Sequence, residues 1–232
     1  MDTTALGENG PASRRRFLQA VGLGGAISAL PFVARSAGAQ SGSSTTEAAS
    51  GSTASTTPAT TTTAPPQRPT ADDEALLGFA QSVELAAAAG YDAVIGRADE
   101  LALPPDVSPV VQVLREHHKA YAQSLSGLLG RSAPGTANAA VSDELGGPFQ
   151  TGSLDEVLAA AVALEDAAVA THTALLGELQ GTDGAALLAS ILVTEARHAT
   201  LLTALSGNDD LMPESGIESA AAALTPDDYP VE

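Results

Sequence analysis

The chain has no cysteine. Its absence excludes a structural disulfide, a lipid-bearing cysteine behind an export signal, and any thiolate metal site. Basic residues are scarce as well: ten Lys and Arg face 28 Asp and Glu, for a formal net charge of −18. So acidic a chain repels phosphate backbones, and nucleic acid is not an expected partner. Histidine is rarer still, with four in 232 residues. The sequence offers no basic groove, phosphate-binding loop or nucleophile triad. All four histidines fall within reach of one helical seam, which leaves none for a second site.

What is present begins with "SRRRFLQAVGLGGAISALPFVARSAGAQ". Arg14, Arg15 and Arg16 precede an apolar run from Ala20 to Val33 broken only by Ser28, and Ala37 and Ala39 form an A-x-A cleavage site before Gln40. That is the layout of a secretory signal. "SRRRFLQ" resembles the twin-arginine export consensus, with Ser13, Arg14, Arg15, Phe17 and Leu18 in place. The run is shorter than the ~20 residues a membrane span needs, so an uncleaved anchor is the lesser alternative. Residues 1–39 are therefore expected as a signal peptide that meets the membrane only transiently, and the product as secreted or held at the cell envelope. Cleavage removes Arg14, Arg15, Arg16 and Arg35 with Asp2 and Glu8, leaving the mature chain more acidic. Residues 40–71 are rich in Ser, Thr, Ala and Pro and nearly devoid of large apolar side chains. Such a segment cannot bury enough surface to offset its ordering entropy and reads as a disordered linker.

From Asp72 the composition turns to Ala, Leu and Val with helical periodicity. A first helix is expected from about Asp72 to Gly96, ended by "LPPDVSP". A second starts with Ser108 as N-cap and Pro109 at the first helical position, and ends at Gly130. The third opens on a capping box, Ser153 with Glu156, and stops at Gly181. The fourth runs from Thr182 or Asp183 to Gly207. Residues 208–232, acidic and carrying Pro213, Pro226 and Pro230, read as a tail with one short helix near Ile217 to Ala223.

Steps of three and four along the first helix give Leu77, Ala80, Glu84, Ala87, Tyr91 and Val94; along the third they give Leu158, Ala161, Glu165, Ala168, His172 and Leu175. The two stripes match position for position. Val111, Leu114, His118, Tyr121, Leu125 and Leu128 of the second helix likewise match Leu188, Ile191, Glu195, His198, Leu202 and Leu205 of the fourth. Such spacing turns these residues inward. Two related hairpins joined by the long stretch from Arg131 to Gly152 make an all-α four-helix bundle with one long crossover between the second and third helices, the ferritin-like topology, over residues 72–207.

An ionised carboxylate in a dry seam costs several kcal/mol unless a cation or donors compensate it. Here Glu84, Glu165 and Glu195 share a depth with His198, while Arg97, Arg115, Lys119 and Arg197 lie off the seam. A bound metal is the most economical compensation.

The arrangement resembles the ferritin-like carboxylate proteins, in which two helices give one Glu each and the other two give Glu-x-x-His. More narrowly, "FAQSVELAAAAGYD", "REHHKAY", "LEDAAVATH" and "EARHA" resemble exported ferritin-like proteins of high-GC Gram-positive bacteria. The resemblance implies metal ligands at Glu84, Glu165, Glu195 and His198. His118 and Tyr121 stand where the second Glu-x-x-His would be. Replacing a bridging carboxylate by His118 removes a bridge and a negative charge, which disfavours a symmetric di-iron centre and its oxygen chemistry. The expected ligand set is Glu84, His118, Tyr121, Glu165, Glu195 and His198, with His117 and His172 as supporting or alternative groups. Carboxylate with imidazole suits Fe or Mn, with Zn as a further choice, as one ion or an unequal pair. The implied role is metal or oxidant handling at the envelope; cage assembly is not expected of subunits that carry a long tether. The alternative is an interaction or structural bundle whose polar seam is hydrogen-bonded internally, with Glu84 paired to His118 or Tyr121.

Overall fold

A computed structural model describes residues 64–207 and 223–231. These contain six α-helices and no strand: α1 Ala71–Gly96, α2 Ser108–Leu129, α3 Ala139–Leu145, α4 Gly147–Thr151, α5 Leu154–Glu178 and α6 Thr182–Leu205. The four long helices form a ring in which α1 packs on α2 and α5, and α6 on α5 and α2.

Local chemistry sets where each helix begins. Thr70 caps α1, accepting from the Asp73 N–H at 3.2 Å, and the Asp73 carboxylate accepts the Thr70 N–H at 2.8 Å. The same carboxylate takes the N–H groups of Gln180 and Gly181 at 2.8 and 2.9 Å, which fastens the start of α1 to the turn between α5 and α6. Those two donors leave the helical pattern to reach Asp73, so α5 ends at Glu178 and not at the expected Gly181. Ser153 and Glu156 form the expected capping box at the head of α5. Ser108 is not the N-cap of α2. It is already helical, because the turn at Pro104 satisfies the N–H groups of Val107 and Ser108 at 3.0 Å each, so no side-chain cap is needed.

The segment 131–152 is more than a strap. Asn138 caps α3, and its own N–H donates to the Ser82 carbonyl on α1 at 2.9 Å. Phe149 on α4 is buried against α1 where Gly90 leaves room: a Cβ at Gly90 would lie 3.0 Å from the Phe149 ring. Gln81 ties α1 to α2 and the crossover, donating to the Ala122 carbonyl at 3.0 Å and accepting from Gly135 N–H at 3.1 Å.

Two stretches expected outside the bundle belong to it. Pro66 and Gln67, assigned to the linker, accept the Thr182 and Asp183 N–H groups at 3.0 and 2.9 Å and so complete the first turn of α6, which has no side-chain cap. Residues 223–231, assigned to the acidic tail, return to the bundle as well. Leu224 is buried and donates its N–H to Thr171 Oγ1 at 2.8 Å, while the Tyr229 carbonyl accepts from Asn138 and its hydroxyl donates to Glu144. The short helix expected near Ile217 falls almost wholly outside the described residues, as do the export signal and residues 40–63 of the linker.

Apolar side chains fill the ring in two blocks. One gathers Leu77, Phe79, Leu125, Leu188 and Ile191; the other gathers Tyr91, Val94, Leu114, Phe149, Leu158 and Leu202.

Candidate metal centre

Six carboxylate and imidazole side chains of the described residues are enclosed in the ring: Glu84 of α1, His118 of α2, Glu165 and His172 of α5, and Glu195 and His198 of α6. Carboxylates and imidazoles alternate among them. Glu195 Oε2 lies 2.8 Å from His172 Nδ1, and His172 Nε2 lies 3.4 Å from Glu84 Oε1. Glu84 Oε2 is 2.7 Å from His118 Nδ1, whose Nε2 is 3.1 Å from Glu165 Oε1. Glu165 Oε2 meets His198 Nδ1 at 3.2 Å, and His198 Nε2 meets His117 Nδ1 at 2.9 Å. His117 is half-buried, so the row runs from the deepest glutamate toward the surface.

Tyr91 adds a branch. Its hydroxyl donates to Glu165 Oε1 at 2.6 Å and its ring stacks on His118 with centroids 5.5 Å apart. Phe149 and Gly90 seat that ring from behind. Among the described residues no lysine or arginine enters the row. Arg115 and Lys119 reach outward to Asp92 at 3.1 and 3.0 Å, and Arg97 binds Glu100 and the carbonyls of Phe149 and Gly152.

Burial and partners pull the titrating groups apart. Burial pushes the Glu165 carboxyl up, but His118 and His198 outweigh it and hold the group well below the usual carboxylate range. Glu84 goes the other way: burial and the nearby Glu195 charge raise it against the pull of His118 and His172. Burial works to discharge His118 and His172, yet the carboxylates beside each overcome it and raise both. His117 is lowered, by burial and by His198 and His118 beside it. Burial and then Glu165 raise the Tyr91 phenol.

Five of the six residues expected as ligands therefore meet in one place: Glu84, His118, Glu165, Glu195 and His198. Tyr121 does not join them. It is half-buried, its ring stands edge-on to His118 with centroids 6.1 Å apart, and burial raises its phenol, the reverse of what a phenolate ligand needs. His117 touches the row only through His198. His172, expected as a supporting or alternative group, is fully buried between Glu195 and Glu84. Asp73 and Tyr91 were not expected as carboxylate partners. Thr70-x-x-Asp73 is itself a capping-box signal in the sequence; the Tyr91 to Glu165 contact crosses helices and has no such local mark.

Two groups of described residues have one donor atom per residue within 4.8 Å of each other: Glu84, His118 and Glu195, and His118, Glu165 and His198. Among the described residues, buried side-chain atoms without any hydrogen-bond partner include Glu84 Oε1, Glu195 Oε1 and His172 Nε2. An unpaired buried carboxylate oxygen costs its full desolvation penalty unless a cation completes it. The donor set and these orphaned atoms fit a metal ion of carboxylate and imidazole preference.

The sequence matches the ferritin-like domain family over residues 72–208, more than half of the chain. No curated protein and no solved structure matches it.

Proposed function

The chain belongs to the ferritin-like domain family, and on that premise we propose that it is an exported metal-binding protein that holds iron or manganese in its bundle core and handles metal or oxidants at the cell envelope. The observation that carries this reading is the set of orphaned, fully buried atoms Glu84 Oε1, Glu195 Oε1 and His172 Nε2 in a seam that none of the described lysines or arginines enters. Glu84, Glu195, His118, Glu165 and His198 are the groups that could hold an ion, with His172 beside Glu84 and Glu195. A bound iron or manganese ion would supply one-electron and Lewis-acid chemistry there. With His118 in place of a carboxylate, the seam favours holding a metal over oxidising it in bulk. The twin-arginine signal supports export, because that route carries folded proteins and allows a metal to be chosen before secretion.

Elemental analysis of the full chain, purified without chelator beside a Glu84→Ala/Glu195→Ala variant, tests the proposal. Stoichiometric iron, manganese or zinc in the parent and none in the variant is the expected result. No metal in either, with the variant as stable as the parent, would leave the second reading: a structural or interaction bundle whose seam is neutralised internally. That reading draws on the hydrogen bonds that satisfy both oxygens of Glu165.

A further inference from the structure

Resting on the metal-binding reading, we infer that the centre holds one cation and not two, bound by Glu84, Glu195 and His118 Nδ1, and that Glu165 is a positioning residue and not a ligand.

The two candidate groups share His118 but face its opposite nitrogens. Nδ1 points to Glu84 at 2.7 Å and Glu195 at 3.9 Å; Nε2 points to Glu165 at 3.1 Å. A neutral imidazole has one lone pair and one N–H, so His118 serves a cation on one side and donates on the other. The neighbours decide which. On the Glu165 side every donor atom is engaged: Oε1 takes Tyr91 and His118, Oε2 takes His198, and the other nitrogen of His198 is engaged by His117. On the other side Glu84 Oε1, Glu195 Oε1 and His172 Nε2 have no partner, and each belongs to a residue at most 1 % exposed.

His118 thus donates Nε2–H to Glu165 and turns its Nδ1 lone pair to the cation. Ligating histidines are held in this way by a carboxylate on the far nitrogen. His172 holds Glu195 in place, donating Nδ1–H to Oε2 at 2.8 Å and leaving Oε1, the oxygen 3.9 Å from His118 Nδ1, for the cation.

The experiment is titration of the metal-free full chain with Co(II), read by equilibrium dialysis and by the visible ligand-field bands, with far-UV circular dichroism as the check on folding. The wild type is expected to take up one equivalent. Glu84→Gln and Glu195→Gln should show no bands at the cobalt concentration that saturates the wild type. Glu165→Gln keeps a hydrogen-bond acceptor for His118 and should still bind one equivalent with the same band positions, about 10–100-fold more weakly. His198→Asn, from the same side, should retain the one equivalent too and makes the distinction if Glu165→Gln does not fold. Two equivalents in the wild type, or bands lost in folded Glu165→Gln or His198→Asn and kept in Glu84→Gln, would overturn the assignment while leaving metal binding intact. A wild type that binds no cobalt, iron, zinc or manganese would overturn the metal-binding reading itself.

Discussion

Glu84 and Glu165 occupy equivalent places in two similar hairpins, each mid-seam and each seven residues before a ring-bearing polar side chain. Their surroundings treat them oppositely. Glu165 receives Tyr91, His118 and His198 and is held ionised; Glu84 receives His118 on one oxygen, keeps the other unpaired, and is pushed toward protonation by burial and Glu195. The residues seven positions on explain much of it. Tyr91 reaches across to Glu165 and donates, whereas His172, its counterpart, commits its donor to Glu195 and meets Glu84 without a hydrogen bond. Equal register places a carboxylate at a depth. What it then does is set by the donors on the other three helices.

The sharpest test of that contrast is removal of each charge. Glu165→Leu leaves the Tyr91 hydroxyl and two imidazoles without their acceptor and should cost about 3–5 kcal/mol, as when one member of a buried pair is deleted. Glu84→Gln relieves a like-charge contact and should change stability by no more than about 1 kcal/mol, the net worth of one hydrogen bond. Urea unfolding of the metal-free chain reads both, and equal losses would erase the distinction. Next in size is Tyr91→Phe, which removes a buried hydroxyl from a charged acceptor and should cost about 1.5–3 kcal/mol in the same assay. Gly90→Ala forces Phe149 off its seat behind Tyr91, with a loss of about 1–3 kcal/mol from overpacking. It should also weaken the hydrogen bond to Glu165, visible as a shift of the Tyr91 ultraviolet band.

Asp73 provides the smallest effect and a reference carboxylate, satisfied by three backbone N–H groups far from any histidine. Those donors outweigh burial and hold it below the ordinary aspartate value of 3.8. Because its folded pKa is depressed, the stability it contributes is present above about pH 4 and lost as pH falls through the folded value. Acid titration should therefore show Asp73→Asn less stable than the parent at pH 6, with the gap closing below pH ~4. A gap that stays constant to pH 2 would mean that the clamp works through shape alone.

Most of the fold could be read from the chain because its signals are local. Capping boxes, prolines at helix starts and a three-four apolar stripe each act over a few residues, and they place α1, α5 and α6 to within a few residues of where they lie. Glu84, Glu165, Glu195, His118 and His198 were legible for the same reason. His172 was legible only as an alternative: seven residues from Glu165 is about 10 Å along α5, which register alone assigns to another layer. Glutamates reaching over from α1 and α6 bring it back into the row. Tyr121 fails in the opposite sense, since its spacing from His118 copies a ligand pair while its ring sits at the margin of the bundle. The links made by Asp73, Pro66, Gln67 and Thr171 bind segments on the order of 50 to 120 residues apart, and no local pattern encodes such a partner.

The carbonyls of Pro66 and Gln67 finish the first turn of α6, the helix that also bears Glu195 and His198. In mechanical terms a pull on Pro66 is shared between the head of α6, about 20 Å along the rod from Glu195, and the start of α1, which the chain enters at Ala71. It also meets the Asp73 clamp at Gln180 and Gly181 before it reaches the seam. The point of suspension and the point of chemistry lie on one rigid member, and a buried carboxylate fastens the turn before it to the start of α1.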